Sequence, residues 1–414
     1  MANTLSYDIV FEMRGWQTLN RKLKFEPNKI AIGSYRRLET PTGAQLLVDE
    51  VNIVSPPNGN GDRRFGNGTL IVSMKPRKQW CGARELLADL KLRPSDQFAM
   101  ISLTSDDPGC WDACAQDYGR TSEIDEIRVV EPGMPRIRRA DPKHPAPPTK
   151  GRWSRTIGGL NEDVWPKLHE SHVVLIGCGG NGSQLAMQLA CLGVGRLTIV
   201  EPDTLEIENL DRMPGVVLRD VGRNKGVVLA EKLTALRPDL AVRCIKQSLL
   251  ECIDQVRGPA QLLVSCVDDD AARLAASWLS RERIWPHLDV ATRIQKKEDG
   301  EFERTGDCRF LLPRQGCVAC IGGLDDPERC LYEIAAPPGA LHRGEPVIWS
   351  SQRAGSLVSL NGLVVSAAVQ DWLDFLACKL SGSTWHRIAL TPSGIASRRE
   401  QVTAATHCTY CNEP

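Results

Sequence analysis

The stretch VVLIGCGGNGSQLAMQLACLG, residues 173–193, constrains this chain more than any other. A short apolar run meets a turn holding Gly177, Gly179, Gly180 and Gly182, and a helical pattern follows. Glycines allow a tight turn and let backbone N–H groups approach a phosphate, while a helix N-terminus favours the anion. Glu201 ends the next apolar run, where a carboxylate can bond a ribose hydroxyl. That pattern serves the ribose of NAD and the ribose of ATP equally, so the loop alone leaves the nucleotide open.

The surrounding pattern sets the fold class. VVLIG (173–177), RLTIVE (196–201), VRCIKQ (242–247) and QLLVSCVD (261–268) are short apolar runs. The helical segments SQLAMQLACLG, NKGVVLAEKLTALRP and DDDAARLAASWLSRE separate them. Strands alternating with helices imply an α/β fold with a doubly wound, mostly parallel sheet, and near-continuous apolar strands fit burial on both faces. The first 140 residues read differently. KIAIGSYRRL, AQLLVDEVNIV and TLIVSM are strand-like, PPNGNGDRRFGNG (56–68) is a loop by composition, and ARELLADLKL (83–92) has helical spacing. The proline-rich segment DPKHPAPPTKG (141–151) reads as a stiff linker. The expected organisation is a smaller α+β domain over 1–140, a linker over 141–151, and an α/β domain over 152–414.

Composition removes several functional classes. The formal net charge is +0, so no basic excess advertises nucleic acid or an acidic membrane. No window reaches the roughly 18 apolar residues of a spanning helix, and no signal peptide is evident. Fifteen cysteines without a secretory signal point to cytosolic thiols and metal ligands, hence a cytoplasmic protein.

The residues after the glycine loop choose between nucleotides. EIENLDRM supplies Asn209 and Arg212, DVGRNK supplies Arg223 and Lys225, and SCVDDDAAR supplies Asp268 and Asp269 at a strand end. A hydride-transfer site has no obvious use for these groups around the pyrophosphate. A site that cleaves ATP does: Arg and Lys offset triphosphate charge, and a strand-end aspartate can hold Mg²⁺. From about residue 152 to 414 the sequence resembles the E1-like enzymes that adenylate ubiquitin-like proteins, the ThiF, MoeB and ubiquitin-activating group. RWSRTIGGL (152–160) is similar to the entry segment RYxRQ, with Thr156 for the usual Gln. VVLIGCGGNGS, IVEPDTLEIENLDR and DVGRNK are similar to the glycine loop, the NLxR block and the GxxK block, in family order. CVDD is similar to CxDN, with Asp269 for the usual Asn.

The resemblance implies a Rossmann-like fold and a role for each matching residue. Gly177, Gly179, Gly180 and Gly182 would cradle ATP. Glu201 would take the ribose, with Asp203 beside it. Asn209, Arg212 and Lys225 would hold the phosphates and Asp268 the Mg²⁺. Arg155 would reach across a dimer interface, which with one adenylation core per chain implies a homodimer.

Cys317 and Cys320 form GCVAC, and Cys408 and Cys411 form HCTYC. Four thiolates in two CxxC pairs make a tetrahedral structural Zn²⁺ site, an arrangement the family also has. E1-like enzymes that go beyond adenylation form a thioester. The segment IGGLDDPERCLYEIAAPPGALHRGEP looks like a mobile crossover loop, which makes Cys330 the candidate nucleophile, with Arg329 lowering its pKa. Cys308 is the second candidate, a packed cysteine is the alternative for Cys330, and Cys178 reads as a replacement for a small residue.

The N-terminal region faintly resembles the strands of JAB/MPN domains, but its first histidine is His144, in the linker. A histidine-ligated zinc protease is therefore excluded there, Cys110 and Cys114 read as structural, and docking of a modifier or conjugating enzyme is the expected role. The expected activity is adenylation of a ubiquitin-like protein with a C-terminal Gly. Thioester formation and transfer to an E2-like enzyme would follow, as in bacterial conjugation systems, some linked to phage defence. The alternative is adenylation of a ThiS- or MoaD-like sulfur carrier.

Overall fold

A computed structural model describes residues 6–22, 30–40, 43–54, 68–73, 97–103, 111–117, 120–134, 136–138, 151–160, 163–335, 355–406, 408 and 410. The chain divides into two compact units, Met1–Ala146 and Pro147–Pro414. The expected helix at 83–92 lies outside the described residues, as do the expected loop at 56–68 and linker at 141–151 except for Gly68 and Gly151.

The first unit is built on strands β1 (Ser6–Glu12), β2 (Ile30–Thr40), β3 (Gly43–Val54), β4 (Thr69–Ser73), β5 (Phe98–Leu103), β6 (Trp111–Asp117), β7 (Arg120–Val130) and β8 (Arg136–Arg138). The order β1-β3-β2-β4-β5-β6-β7-β8, with β7 also pairing β1, closes the sheet into a ring. Alternate residues Ile9, Phe11, Leu46, Val48, Ile127 and Val129 form one buried cluster with Trp16 and Leu19 of helix α1 (Met13–Lys22). The period of two in these strands supplies the apolar face that α1 covers.

The second unit carries the glycine stretch. Its strands are β9 (His172–Ile176), β10 (Arg196–Val200), β11 (Ala241–Ile245), β12 (Leu262–Ser265), β13 (His287–Lys296), β14 (Phe302–Leu311), β15 (Thr384–Thr391) and β16 (Gly394–Gln401). They lie in the order β11-β10-β9-β12-β13-β14-β15-β16. β11 through β13 run parallel, and β14, β15 and β16 add an antiparallel flank. The described helices are α2 (Ser154–Gly159), α3 (Val164–His169), α4 (Gly180–Leu192), α5 (Lys225–Leu236), α6 (Leu249–Cys252), α7 (Asp270–Arg283), α8 (Pro327–Ala335) and α9 (Val358–Leu376). α4 packs on α5 and α9, while α7 packs on α6 and α8. Helix α9 buries Leu360, Val364, Val365, Ala368, Trp372 and Phe375. No helix among the described residues is long and apolar enough to cross a membrane.

From β9 the chain steps outward through β10 to β11, then crosses back to β12 on the other side of β9. The C-terminal ends of β9 and β12 therefore flank the point where the strand order reverses, the place where open α/β sheets bind ligands. Both the glycine turn and Asp268 follow these two strands directly.

Charge is buried beside this point. Asp289 on β13 is fully buried and accepts from Arg309 Nη1 at 2.6 Å, Arg273 Nε at 3.1 Å and Ser265 Oγ at 2.7 Å. Because the Ser265 hydroxyl donates to Asp289, its oxygen is left to accept from His287 Nε2 at 2.7 Å. Nε2 of His287 therefore carries a proton, and its buried Nδ1 has no hydrogen-bond partner among the described residues. Burial pushes the His287 pKa down to about 4, and two guanidinium groups hold Asp289 at about 2 against the opposing effect of burial. A depressed His pKa means the unfolded chain binds the extra proton first. Stability from His287 is complete above the unfolded value near 6.5 and falls as pH drops toward 4, on the order of 3 kcal/mol in all. The Asp289 contribution is lost only below about 4. Urea unfolding between pH 7 and 4.5 will show stability falling with a slope near one proton, and His287→Leu will remove that slope.

Candidate functional site

The glycine turn is shaped by close backbone approach. Gly177 has φ +88°, and a Cβ there would lie 2.7 Å from the Cys266 carbonyl oxygen at the end of β12. A Cβ on Gly182 would lie 2.0 Å from the Gly177 carbonyl oxygen, and one on Gly180 would lie 2.3 Å from Asn361 Nδ2 of α9. Gly179 is the N-cap of α4 and a Cβ there meets nothing within 4 Å. The turn is packed on its protein side and open at Gly179, beside the helix N-terminus. A phosphate needs that arrangement.

Glu201 is 4% exposed. Its carboxylate accepts from the Cys178 and Asp203 backbone N–H groups, the second at 2.9 Å. It therefore ties the glycine turn to the end of β10, and burial raises its pKa against these two bonds. Asp203 pairs with Lys225 Nζ at 3.0 Å. Asn224, the N-cap of α5, accepts from Val227 N–H. Its Nδ2 also donates to the carbonyls of Glu201 and Asp203, at 2.9 and 3.1 Å. This clamp places Lys225 at the site. The sequence reading passed over Asn224, although an Asn before a helical run is an N-cap signal.

Arg212 lies against the same turn, since its Cγ and Cδ would be 3.5 Å from a Cβ on Gly180. Its Nη1 donates to the Glu208 carbonyl and to Asp211. Asn209 is buried, and its Oδ1 accepts from Glu206 N–H at 3.0 Å, closing the turn that presents Arg212. Asp268 is exposed just past β12, next to Val267, whose Cγ1 would lie 3.0 Å from a Cβ on Gly177. Asp269 N-caps α7 through Ala271 N–H at 2.8 Å. The structure thus brings the glycines, Glu201, Asp203, Arg212, Lys225 and Asp268 to one crevice. Arg223 turns aside, paired with Asp220 and Glu231.

Other polar groups steady the turn without a signal in the sequence. Asn181 Nδ2 donates to Thr292 Oγ1 at 3.2 Å, and Thr292 donates to Asn361 Oδ1 at 3.0 Å. Buried Asn361 is invisible by periodicity because it sits in the apolar pattern of α9. Arg155 is exposed on α2, a helix with no buried residue. Trp153 anchors this segment, with Arg237 and Arg152 over its ring at 4.6 and 4.9 Å.

Three of the four expected metal ligands meet. The sulfurs of Cys317, Cys320 and Cys408 lie within 4.8 Å of one another, with Cys317 3.7 Å from each of the other two. Cys411 lies outside the described residues. A tetrahedron with Zn–S bonds of about 2.3 Å has edges of about 3.8 Å, so the spacing fits thiolates on one ion. It is far longer than the ~2.05 Å of a disulfide. The residues fit Zn²⁺, which would tie the chain's tail to the segment after β14.

The candidate nucleophile is placed differently from expectation. Residues Pro327–Ala335 of the supposed mobile loop form α8, and Cys330 is 3% exposed against Ala271, Leu274, Leu311, Val318 and Leu324. Burial pushes its thiol up to about 11, with Asp270, Glu333, Asp269 and Asp326 adding to the effect. Arg329 does not offset this rise, and its guanidinium pairs with Glu333 at 2.7 Å. The second candidate, Cys308, is fully buried, donates to the Val364 carbonyl and has its pKa raised by burial. Cys178 is fully buried too, its thiol also pushed up by burial.

Comparison with known proteins decides the family. Residues 153–410 match the ThiF family. The chain belongs to the ThiF family. Over 125 residues this ThiF-family chain is 34% identical to the sulfur carrier protein ThiS adenylyltransferase of Escherichia coli, covering 30% of this chain and 50% of that protein. It is 28% identical over 195 residues to the SAMP-activating enzyme E1 of Haloferax volcanii, covering 46% and 64%. It is 25% identical over 240 residues to ubiquitin-like modifier-activating enzyme 5 of Arabidopsis thaliana, covering 52% and 49%. The chain spans between about half and 64% of the length of these relatives. Among solved structures, E. coli MccB with succinimide matches at 20% identity and a TM-score of 0.47, covering 64% of this chain and 75% of that one.

Two outcomes follow from the geometry. Ala favours a helix over Gly by about 1 kcal/mol, yet Gly182→Ala puts a Cβ into the Gly177 carbonyl. The steric effect wins, and thermal unfolding will show a destabilised protein with nucleotide binding lost by calorimetry. Elemental analysis will find about one zinc per wild-type chain and almost none in Cys317→Ser; a wild-type protein purified without zinc and unable to bind it would contradict the assignment.

Proposed function

We propose that the second unit binds Mg²⁺-ATP and adenylates the C-terminal carboxylate of a ubiquitin-like protein. One observation carries this reading: a glycine turn open at a helix N-terminus shares its crevice with Lys225, Arg212 and Asp268. The carboxylate oxygen attacks the α-phosphorus, the bond from that phosphorus to the bridging oxygen breaks, and pyrophosphate leaves with the electron pair. No side-chain nucleophile is needed, only positioning and offset of negative charge. The backbone around Gly179 faces the phosphates, Lys225 and Arg212 supply positive charge, and Glu201 offers its remaining lone pairs to the ribose. Asp268 supplies the carboxylate that a hard cation such as Mg²⁺ prefers, and that ion would neutralise phosphate charge. Lys225 exchanges its pairing with Asp203 for the phosphates.

Arg155 belongs to this reading through a homodimer. It is exposed on an anchored segment, as an arginine serving a partner's ATP must be. An E2-like acceptor remains part of the proposal on resemblance alone. Thioester capture by Cys330 is left out, because a buried thiol held near 11 is a poor nucleophile at neutral pH. Adenylation of a sulfur carrier is the second reading, favoured by the 34% identity to the E. coli ThiS adenylyltransferase.

Modifier-dependent exchange of pyrophosphate into ATP will be seen with the cognate small protein. Lys225→Ala and Asp268→Asn will each lower it by about 10²-fold or more. Absence of exchange with every ubiquitin-like and sulfur-carrier candidate, or tight NAD binding without ATP binding, would overturn the reading. A thiocarboxylate product would select the sulfur-carrier version.

A further inference from the structure

Arg273, in the first turn of α7, is 9% exposed and uses its whole guanidinium inside the protein. Nε donates to Asp289 Oδ1 at 3.1 Å and Nη2 to the Val267 carbonyl at 2.9 Å. Nη1 donates to Asp270 and to the Gly323 carbonyl, the latter at 3.3 Å. These contacts join three segments that are remote in sequence. One is the loop after β12 that carries Asp268, one is strand β13, and one begins three residues after Cys320.

A second strap runs parallel to the first. Asp270 Oδ2 accepts from Asp325 N–H at 2.8 Å, so the same loop is bonded twice to the 323–325 segment. The approach there is close, since a Cβ on Gly323 would lie 2.9 Å from the Val318 carbonyl oxygen and 3.3 Å from Arg309 Nε. Arg309 holds the far side of Asp289 at 2.6 Å. At the other end of this short segment, Cys317 and Cys320 are drawn to Cys408. The path from the cysteine cluster to the Asp268 loop is therefore continuous and runs through the Arg273 guanidinium and the Asp270 carboxylate.

We infer that Arg273 is a positioning residue: it locks the Val267–Asp270 loop to Gly323–Asp325, so that the cysteine cluster sets where Asp268 stands in the nucleotide site. This rests on the reading of Asp268 as the carboxylate that holds the nucleotide's Mg²⁺. Planar geometry matters more than charge here. A guanidinium has five donors in a fixed fork and here reaches two carboxylates and two carbonyls at once, whereas an ammonium is a point charge. Lys at this position keeps the charge facing Asp289 and gives up the carbonyls of Val267 and Gly323.

The test compares wild type, Arg273→Lys, Asp270→Asn and Cys320→Ser as full-length chains. Amide hydrogen exchange reads residues 266–271 and 321–326, and pyrophosphate exchange is titrated with Mg²⁺. In Arg273→Lys both segments will exchange faster together, by about tenfold for the loss of one to two buried hydrogen bonds. Asp270→Asn will do so more weakly. Cys320→Ser will loosen residues 266–271 in the wild-type background and add clearly less in the Arg273→Lys background, where only the Asp270–Asp325 bond still joins the two segments. The Mg²⁺ concentration for half-maximal exchange will rise about tenfold in Arg273→Lys, while the KM for the modifier stays unchanged.

Unchanged exchange at 321–326 in Arg273→Lys would overturn the inference. So would a fall in kcat without a shift in Mg²⁺ requirement, or additive effects of Cys320→Ser and Arg273→Lys. The hydrogen-exchange arm needs no activity. If wild type shows no pyrophosphate exchange at all, the proposed function fails while the coupling is still judged by that arm.

Discussion

The fit of the Gly182 Cα beneath the Gly177 carbonyl oxygen is the contact on which the second unit depends. A methyl group at position 182 would stand 2.0 Å from that oxygen. Only because it is absent can α4 start directly on the turn that ends β9. The same closeness lets the Gly177 backbone rest on Cys266, so the ends of β9 and β12 are held together. The neighbouring features follow: the helix N-terminus at Gly179, the Asp268 loop that leaves β12, and the Glu201 carboxylate that accepts from the Cys178 N–H.

Two kinds of polar structure then fix the walls. On the β10 side the work is done by short-range bonds, with Asn224 capping α5 and holding the carbonyls of Glu201 and Asp203. On the β13 side it is done by buried charge, with Asp289 between two guanidinium groups. Burying an ion pair is a weak source of net stability, because desolvation offsets most of the attraction. Removing one partner is another matter and costs about 3–5 kcal/mol, since it strands a charge. Such a network specifies one arrangement of the elements that meet at it. Here those are β12, β13, β14, α7 and the segment leading from the cysteine cluster.

Much of this was legible in the chain itself. Burial makes the strands around 173, 197 and 262 nearly continuously apolar, whereas the edge strand around 242 alternates exposed and half-buried positions and carries Arg243; the glycines and caps mark the turns between them. The NLxR, GxxK and CxDN-like blocks carry Arg212, Lys225 and Asp268, three charged groups that lie near the glycine turn. Cys330 shows where such reading ends. Its neighbours in sequence, Arg329 and a proline- and glycine-rich tail, look like an activated thiol on a loose loop. Helical geometry instead turns Arg329 toward Glu333 one turn on and rotates Cys330 into the apolar face of α7. Arg223 went the same way, adjacent to the site in sequence and directed away from it by Asp220 and Glu231.

The amino-acid sequence by itself determined the fold class, the glycine turn, the identity of the charged groups near it and the cysteine pairs from which three thiols meet, because each of these is written in local spacing. Tertiary structure decided which groups share the crevice, that the thiol at 330 is packed, and that Asp289, Arg273, Arg309 and His287 form one buried system. Those outcomes depend on strand order and on side-chain direction. β12 lies beside β9 only after the chain has crossed over the sheet, and residues brought together by such a crossover carry no common signal along the chain.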